Sequence, residues 1–302
     1  MIAYLAAEGF ERELIKEIPD VEAVFGRLVL AGGACPAPAW AANIWLNPER
    51  MEASSIGDVV RKLKSVQRNW AFYAPDWYRR HVLIQEQLPK VKAAPMEFLG
   101  AVPSAPLGAW SLIERETLLF SSRCSSPFPN GEVQMVENRI DPPSRAYLKL
   151  WEVFTVHGVR PQSGEKCLDL GCSPGGWTWV LAQLGCEVIS VDKAPLAAAI
   201  GDLPEVRYIS ESAFALEPTR VGRVDWLFSD VICYPERLLR LVRRWLEGGH
   251  AANFVCTLKF QEETDHPLIE QFRQIPGSQL IHLYHNKHEI TWINLAVNRH
   301  RP

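Results

Sequence analysis

CLDLGCSPGGWTWVLAQLGCEVISVDK, residues Cys167 to Lys193, decides how the chain is read. Cys167, Leu168 and Leu170 form a short apolar strand interrupted by Asp169. A turn of small residues follows, from Gly171 to Gly176, through Ser173, Pro174 and Gly175. Trp177, Val180, Leu181 and Leu184 then recur at helical spacing, up to Gly185. A second strand, 187–191, closes on Asp192. Strand, glycine turn, helix, strand and acid make up the plan of a nucleotide-binding β-α-β unit.

Gly171, Gly175 and Gly176 let the main chain turn sharply and approach a ligand closely. Asp192 stands about 20 residues beyond Gly171, where such units place a carboxylate for ribose hydroxyls. The turn lacks the G-x-G-x-x-G spacing of a dinucleotide cradle, and no Gly-Lys-Ser/Thr follows as in a P-loop. A ligand with an adenosine end and no pyrophosphate fits better, and S-adenosyl-L-methionine is the expected cofactor.

Four charged residues interrupt apolar patterns elsewhere. Lys149 lies in the helical SRAYLKLWEVF, Asp230 ends VDWLFSD, Lys259 sits near the end of NFVCTLKF, and Glu289 precedes ITWINLAV. Ligands of open α/β sheets bind at the carboxyl ends of strands, so Asp230 and Lys259 should share the crevice of the glycine turn. Taken singly, such a lysine snorkels to solvent and such an aspartate caps a helix. Their order along the chain, together with the glycine turn, argues for one site.

SRAYLKL, DLGCSPGGW, SVDK, FSDV, TLKF and HEITW together resemble the FtsJ class of ribose 2'-O-methyltransferases, in particular the RlmM-type large-subunit rRNA enzymes. The resemblance runs from about residue 141 onward. It implies a catalytic tetrad of Lys149, Asp230, Lys259 and Glu289. It also implies a methyl-donor site formed by Gly171, Ser173, Pro174, Gly175, Gly176 and Trp177, with Asp192 on the donor ribose and Asp230 beside it. The family's adenine-contacting Asp is replaced here by Ser212, with Glu211 adjacent. The chemistry needs alignment and a proton acceptor but no metal. A lysine of ordinary pKa ~10.4 must be shifted far down to serve as that acceptor. Lys259 is the expected base; Lys149 lowers its proton affinity and positions the ribose; Asp230 and Glu289 orient the two amines.

The implied fold is α/β: a Rossmann-like methyltransferase sheet over residues 142–302, mostly parallel with an antiparallel C-terminal strand. Strands are expected near 166–171, 187–192, 206–210, 224–229 and 252–259, with a terminal pair within 279–297. Helices are expected at 144–157, 175–184, 235–246 and 266–274. Residues 1–141 read as a smaller α+β domain, resembling a shortened THUMP-like RNA-binding front in GFERELIKEI and SSPFPNG. There IAYLA is a strand, GFERELIKEI a helix, VFGRLVLAG another strand, and AWSLIERETLLFSSRC two strands.

Composition sets the remaining bounds. With 32 Lys/Arg against 35 Asp/Glu and a net charge of −3, neither half of the chain is basic. RNA, with rRNA as the expected target, must therefore be held by local patches. RKLKSVQRNW (61–70) with WYRRH (77–81) interleaves cations and aromatics. In PERLLRLVRRWLEGG (235–249), Leu238, Leu241, Val242 and Trp245 point inward, and Arg237, Arg240 and Arg244 outward. Scattered cysteines without a C-x-x-C pair suggest free core thiols, and His282, His285 and His288 do not share one face of a strand. An early charged amino terminus and no membrane-length apolar run suggest a cytoplasmic enzyme that enters no membrane. Two other functions compete: a methyltransferase acting on a protein or small molecule, and a non-catalytic RNA- or ribosome-binding module.

Overall fold

Short uninterrupted apolar runs are what strands look like when both faces of a sheet are covered, and the runs after residue 160 become such strands. The computed structural model describes residues 1–35, 37–91 and 94–298. The chain divides into two compact units, Met1–Gln134 and Met135–Pro302.

Among its described residues the second unit has one seven-stranded sheet. Its strands are β1 (Lys166–Leu170), β2 (Glu187–Asp192), β3 (Val206–Ser210), β4 (Val224–Ser229), β5 (Ala251–Lys259), β6 (Ser278–Ile281) and β7 (Glu289–Asn294). Their order is β3-β2-β1-β4-β5-β7-β6. The first five run parallel to their neighbours, and β7 lies antiparallel between β5 and β6. Helices α1 (Tyr147–His157), α2 (Gly176–Gln183), α3 (Ala198–Gly201), α4 (Pro218–Val221), α5 (Pro235–Glu247) and α6 (His266–Arg273) complete the unit. The chain winds outward through β1, β2 and β3, then returns to lay β4 against the other side of β1. That reversal opens a crevice at the carboxyl ends of β1 and β4.

Helix α1 is buried on nearly every side from Tyr147 to Thr155, and Gly158 ends it in the left-handed region (φ 63°). Its rings lock onto α2: Tyr147 lies edge-on to Trp151 at 4.7 Å and to Trp179 at 5.6 Å. Each such pair contributes about 0.5–1.5 kcal/mol beyond its buried area. In α5, Leu238, Leu241, Val242 and Trp245 are buried as expected, and Arg237 and Arg240 are exposed. Arg244 departs from expectation. It is half-buried and donates to the carbonyls of Leu216 (3.0 Å) and Phe214 (3.4 Å) while pairing with Glu217. The loop between β3 and α4 supplies acceptors within reach of its long side chain.

The first unit, among its described residues, has two sheets. An antiparallel sheet of five orders Val21–Phe25, Leu28–Ala31, Ile2–Ala6, Ala41–Leu46 and Arg123–Cys124. A sheet of four orders Glu49–Glu52, Thr117–Ser121, Gly108–Glu114 and Trp70–Phe72, with only the last pair parallel. VFGRLVLAG is therefore a hairpin rather than one strand. Gly26 takes φ +57°, and a Cβ there would meet the Tyr73 hydroxyl at 2.5 Å; that hydroxyl accepts the Arg27 N–H at 2.6 Å. Within WYRRH, His81 belongs to the core. Its Nε2 accepts the Leu112 N–H at 2.9 Å, its ring stacks on Trp110 at 5.0 Å, and burial pushes its pKa down.

Candidate active site

Strand β1 leaves the sheet at Gly171, whose φ of +80° and close neighbours both require glycine. A Cβ there would lie 2.7 Å from Val231, in the chain leaving β4. The turn continues to Gly175 (φ +118°) and then enters α2. Asp192, the last residue of β2, organises this turn by accepting the N–H groups of Ser173 (3.1 Å) and Ala194 (3.0 Å). The Ser173 hydroxyl donates to Pro195 O at 2.8 Å, and Pro174 O accepts from Ala197 N at 2.9 Å. Gly176 fits only because it has no side chain, since a Cβ would come within 2.6 Å of the Ser144 hydroxyl. Trp177 is 3% exposed, and its indole donates to Ala146 O at 2.9 Å. Its ring therefore ties α2 to the start of α1 instead of facing the cleft.

Beside the turn lies a cleft of about 230 Å³, lined by Gly171, Asp192, Ser212, Phe214, Val231 and Arg237 among others. Ser212 occupies the expected place after β3, while Glu211 is drawn away into a two-pronged pair with Arg220 (2.8 and 2.9 Å). The wall is instead completed by the Phe214 ring, with the Arg237 guanidinium 4.1 Å from its centroid. Sequence reasoning missed Phe214 and took Arg237 only as part of a basic helix face. A cation–π contact between a loop and a distant helix leaves no spacing signal.

Asp169 is another residue that sequence reasoning passed over. It is buried under the turn, with Oδ2 accepting from Thr178 at 2.7 Å and Oδ1 without a partner. Burial, reinforced by Asp230 and Asp192, raises its pKa to about 7. Three carboxyl groups around one glycine turn, one with an unpartnered oxygen, suit a ligand that carries positive charge beside a nucleoside. The residues present thus fit the expected sulfonium donor.

The four charged residues come together around Asp230 and Lys149. Lys149 Nζ lies 3.0 Å from Asp230 Oδ1 and 2.6 Å from Glu289 Oε1. Lys259 Nζ lies 3.1 Å from the same Asp230 oxygen and donates to Asp230 O at 2.6 Å. Lys259 ends β5 and Glu289 opens β7, directly opposite in the antiparallel register. Burial opposes the charge on Lys149, but Asp230 and Glu289 outweigh it and hold its pKa above the ordinary lysine value. One turn along α1, Glu152 accepts the N–H groups of Tyr284 (2.8 Å) and His285 (3.3 Å), pinning the loop that leads to Glu289. Burial raises Glu152 to about 8 against those two donors. Among the described residues no cluster of His, Cys, Asp and Glu is arranged for a metal. No helix there is long and apolar enough to cross a membrane. Cys124, Cys167, Cys172, Cys186, Cys233 and Cys256 carry free thiols.

A sheet of this order with a glycine turn and carboxylate at its switch point defines a Rossmann-like methyltransferase domain. A family model described as FtsJ-like methyltransferase matches residues 142–275. A ribosomal RNA large subunit methyltransferase M of Alkalilimnicola ehrlichii is 30% identical over 272 residues, covering 84% of this chain and 68% of that one. Its counterpart in Halorhodospira halophila is 37% identical over 169 residues, covering 53% of this chain and 49% of that one. A ribosomal RNA methyltransferase from Plasmodium falciparum superposes with a TM-score of 0.40 at 18% identity, over 50% of this chain and 96% of that one. The chain belongs to the FtsJ-like methyltransferases, among the RlmM-type rRNA enzymes. It spans about half the length of the Halorhodospira relative and about two thirds of the Alkalilimnicola one.

Proposed function

We propose that the chain transfers a methyl group from S-adenosyl-L-methionine to a ribose 2'-hydroxyl of large-subunit rRNA. The observation that carries this reading is the pair of amines sharing one Asp230 oxygen beside the glycine turn. When bound, the donor supplies an electrophilic methyl on a cationic sulfur, so the chain has only to bind, align and accept a proton.

Lys259 is the acceptor. A neutral amine has two N–H bonds, and both are occupied by Asp230, one on Oδ1 and one on the main-chain carbonyl. Its lone pair then points away from Asp230, toward an incoming hydroxyl. Lys149 stays charged between Asp230 and Glu289. Because both amines bond the same oxygen, they lie within about 6 Å of each other. Asp230 and Glu289 fix the positions of both nitrogens. Gly171, Ser173, Pro174, Gly175 and Gly176 shape the donor cradle, and Asp192 and Ser212 take the donor's nucleoside.

Residues 1–141 act as a THUMP-like RNA-binding front, joined to a methyltransferase domain over 142–302. Its exposed Trp77 and Tyr78 beside Arg79 supply stacking and charge. An rRNA substrate implies a cytoplasmic site of action.

Incubation with methyl-labelled donor and RNA from cells lacking the protein, followed by digestion to nucleosides, tests the reading. A labelled 2'-O-methylnucleoside is expected. Label found only in protein or metabolites, or donor binding without turnover, refutes it.

A further inference from the structure

Two exposed aromatic loops bracket the tetrad. The chain leaving β4 carries Asp230, then Ile232, 77% exposed, and Tyr234, 59% exposed. The chain entering β7 carries Tyr284, 43% exposed, ahead of Glu289. Both loops stand at the same end of the sheet, because β5 ends at Lys259 opposite the start of β7. Tyr284 is held through its N–H, which donates to the Glu152 carboxyl at 2.8 Å. Tyr234 sits at the start of α5, and among the described residues its ring has no hydrogen-bond or stacking partner.

Charge continues the same surface. Arg237 and Arg240 line a groove of about 330 Å³ along α5, beginning at the Phe214 wall of the donor cleft. Among the described residues neither pairs with a carboxylate. Exposed rings followed by unpaired arginines match a polyanion whose flat faces are available, and a folded duplex hides those faces.

We infer that this surface holds a single-stranded RNA segment, with the target ribose at Lys259, flanking bases on Tyr234 and Tyr284, and the adjoining phosphates on Arg237 and Arg240. The inference rests on the ribose-methyltransferase reading above and names the form of RNA that the site accepts. Two stacking platforms on opposite sides of one ribose require that nucleotide to be drawn out of its helix. The substrate is therefore an unpaired loop or bulge.

The test uses the full chain with protein-free large-subunit RNA from cells lacking this protein. Tyr234→Ala and Tyr284→Ala should each raise the RNA KM by about 5–150-fold, the loss of one stacked base, while donor affinity measured by calorimetry is unchanged. Tyr234→Phe and Tyr284→Phe should restore the wild-type KM, because the ring and not the hydroxyl does the stacking. Arg240→Gln should make RNA affinity less dependent on salt, by about one unit of log–log slope. A wild-type enzyme that methylates RNA while both alanine variants keep its KM within about twofold overturns the inference and leaves the activity standing. Equal methylation of the target nucleotide within a perfect duplex also overturns it. A wild-type chain that neither binds nor methylates RNA removes the activity, and the surface with it.

Discussion

Glu152 offers a sharp test, because two forces on its carboxyl oppose each other. It is 4% exposed, and burial raises its pKa from 4.5 to about 8. A carboxyl that holds its proton more tightly when folded makes folding weaken as pH rises, because the unfolded chain releases the proton first. Stability is full below about pH 4.5 and falls steadily toward the folded value near 8. The loss attributable to this one group is about 2.5 kcal/mol between pH 5 and 7, and about 4 kcal/mol by pH 8. In Glu152→Gln the amide cannot accept from both Tyr284 and His285, which costs about 1–3 kcal/mol, but the titration disappears. The two stability curves should therefore cross. The variant unfolds more easily at pH 5 and resists denaturant as well as, or better than, the parent at pH 8. Urea melts followed by tryptophan fluorescence across that range measure both curves. Asp169, raised to about 7 by burial, adds a similar slope to both proteins and leaves their difference unchanged. Parallel curves over pH 5–8 would refute the claim that this carboxyl is protonated in the fold.

Other outcomes concern the site itself. Lys259→Ala should cut single-turnover methyl transfer by about 10²–10⁴-fold, the usual worth of a positioned base, with donor binding intact by calorimetry; retained activity removes Lys259 from that role. Lys149→Met leaves Asp230 and Glu289 as buried neighbours without their shared cation, and should destabilise the fold by about 3–5 kcal/mol in a denaturant melt. An unchanged melt would mean that solvent already screens those carboxylates. Phe214→Ala removes the ring beneath Arg237 and should weaken donor binding by about 3–30-fold by calorimetry. Unaltered affinity would show that the ring does not contact the donor.

Much of the second unit could be read before its structure, for a physical reason. Strands sealed on both faces must be apolar along their length, so β2 and β4 begin and end where the residue pattern changes. Charged residues interrupting such runs are costly, which made Lys149, Asp230, Lys259 and Glu289 conspicuous, and the structure brings these four together. Asp169 stood in the same opening stretch but was read only as an interruption, because its neighbour Thr178 is hidden by the turn between them. Phe214 and Glu152 were invisible for another reason: a ring under a guanidinium and a carboxylate beneath two main-chain N–H groups are contacts between distant segments. Trp177 was placed with the donor turn because of its position, yet its indole serves the helix packing. In the first unit the turn at Gly26 was missed because apolar residues continue on both sides of it. The helices Ile56–Val66 and Tyr78–Gln85 were read only as a patch of cations and aromatics, because their buried faces are set by Trp70, Trp110 and Phe120 from strands elsewhere in the unit.

The antiparallel insertion of β7 imposes a schedule on the nascent protein. Asp192 and the turn it organises emerge early, whereas Glu289 follows about a hundred residues later, some 5–20 seconds at ordinary translation rates. Until β7 slots beside β5, Lys259 lacks its cross-strand neighbour and the edge of the sheet stays open. The gathering of the four charged groups is thus completed only by the last strand to be made.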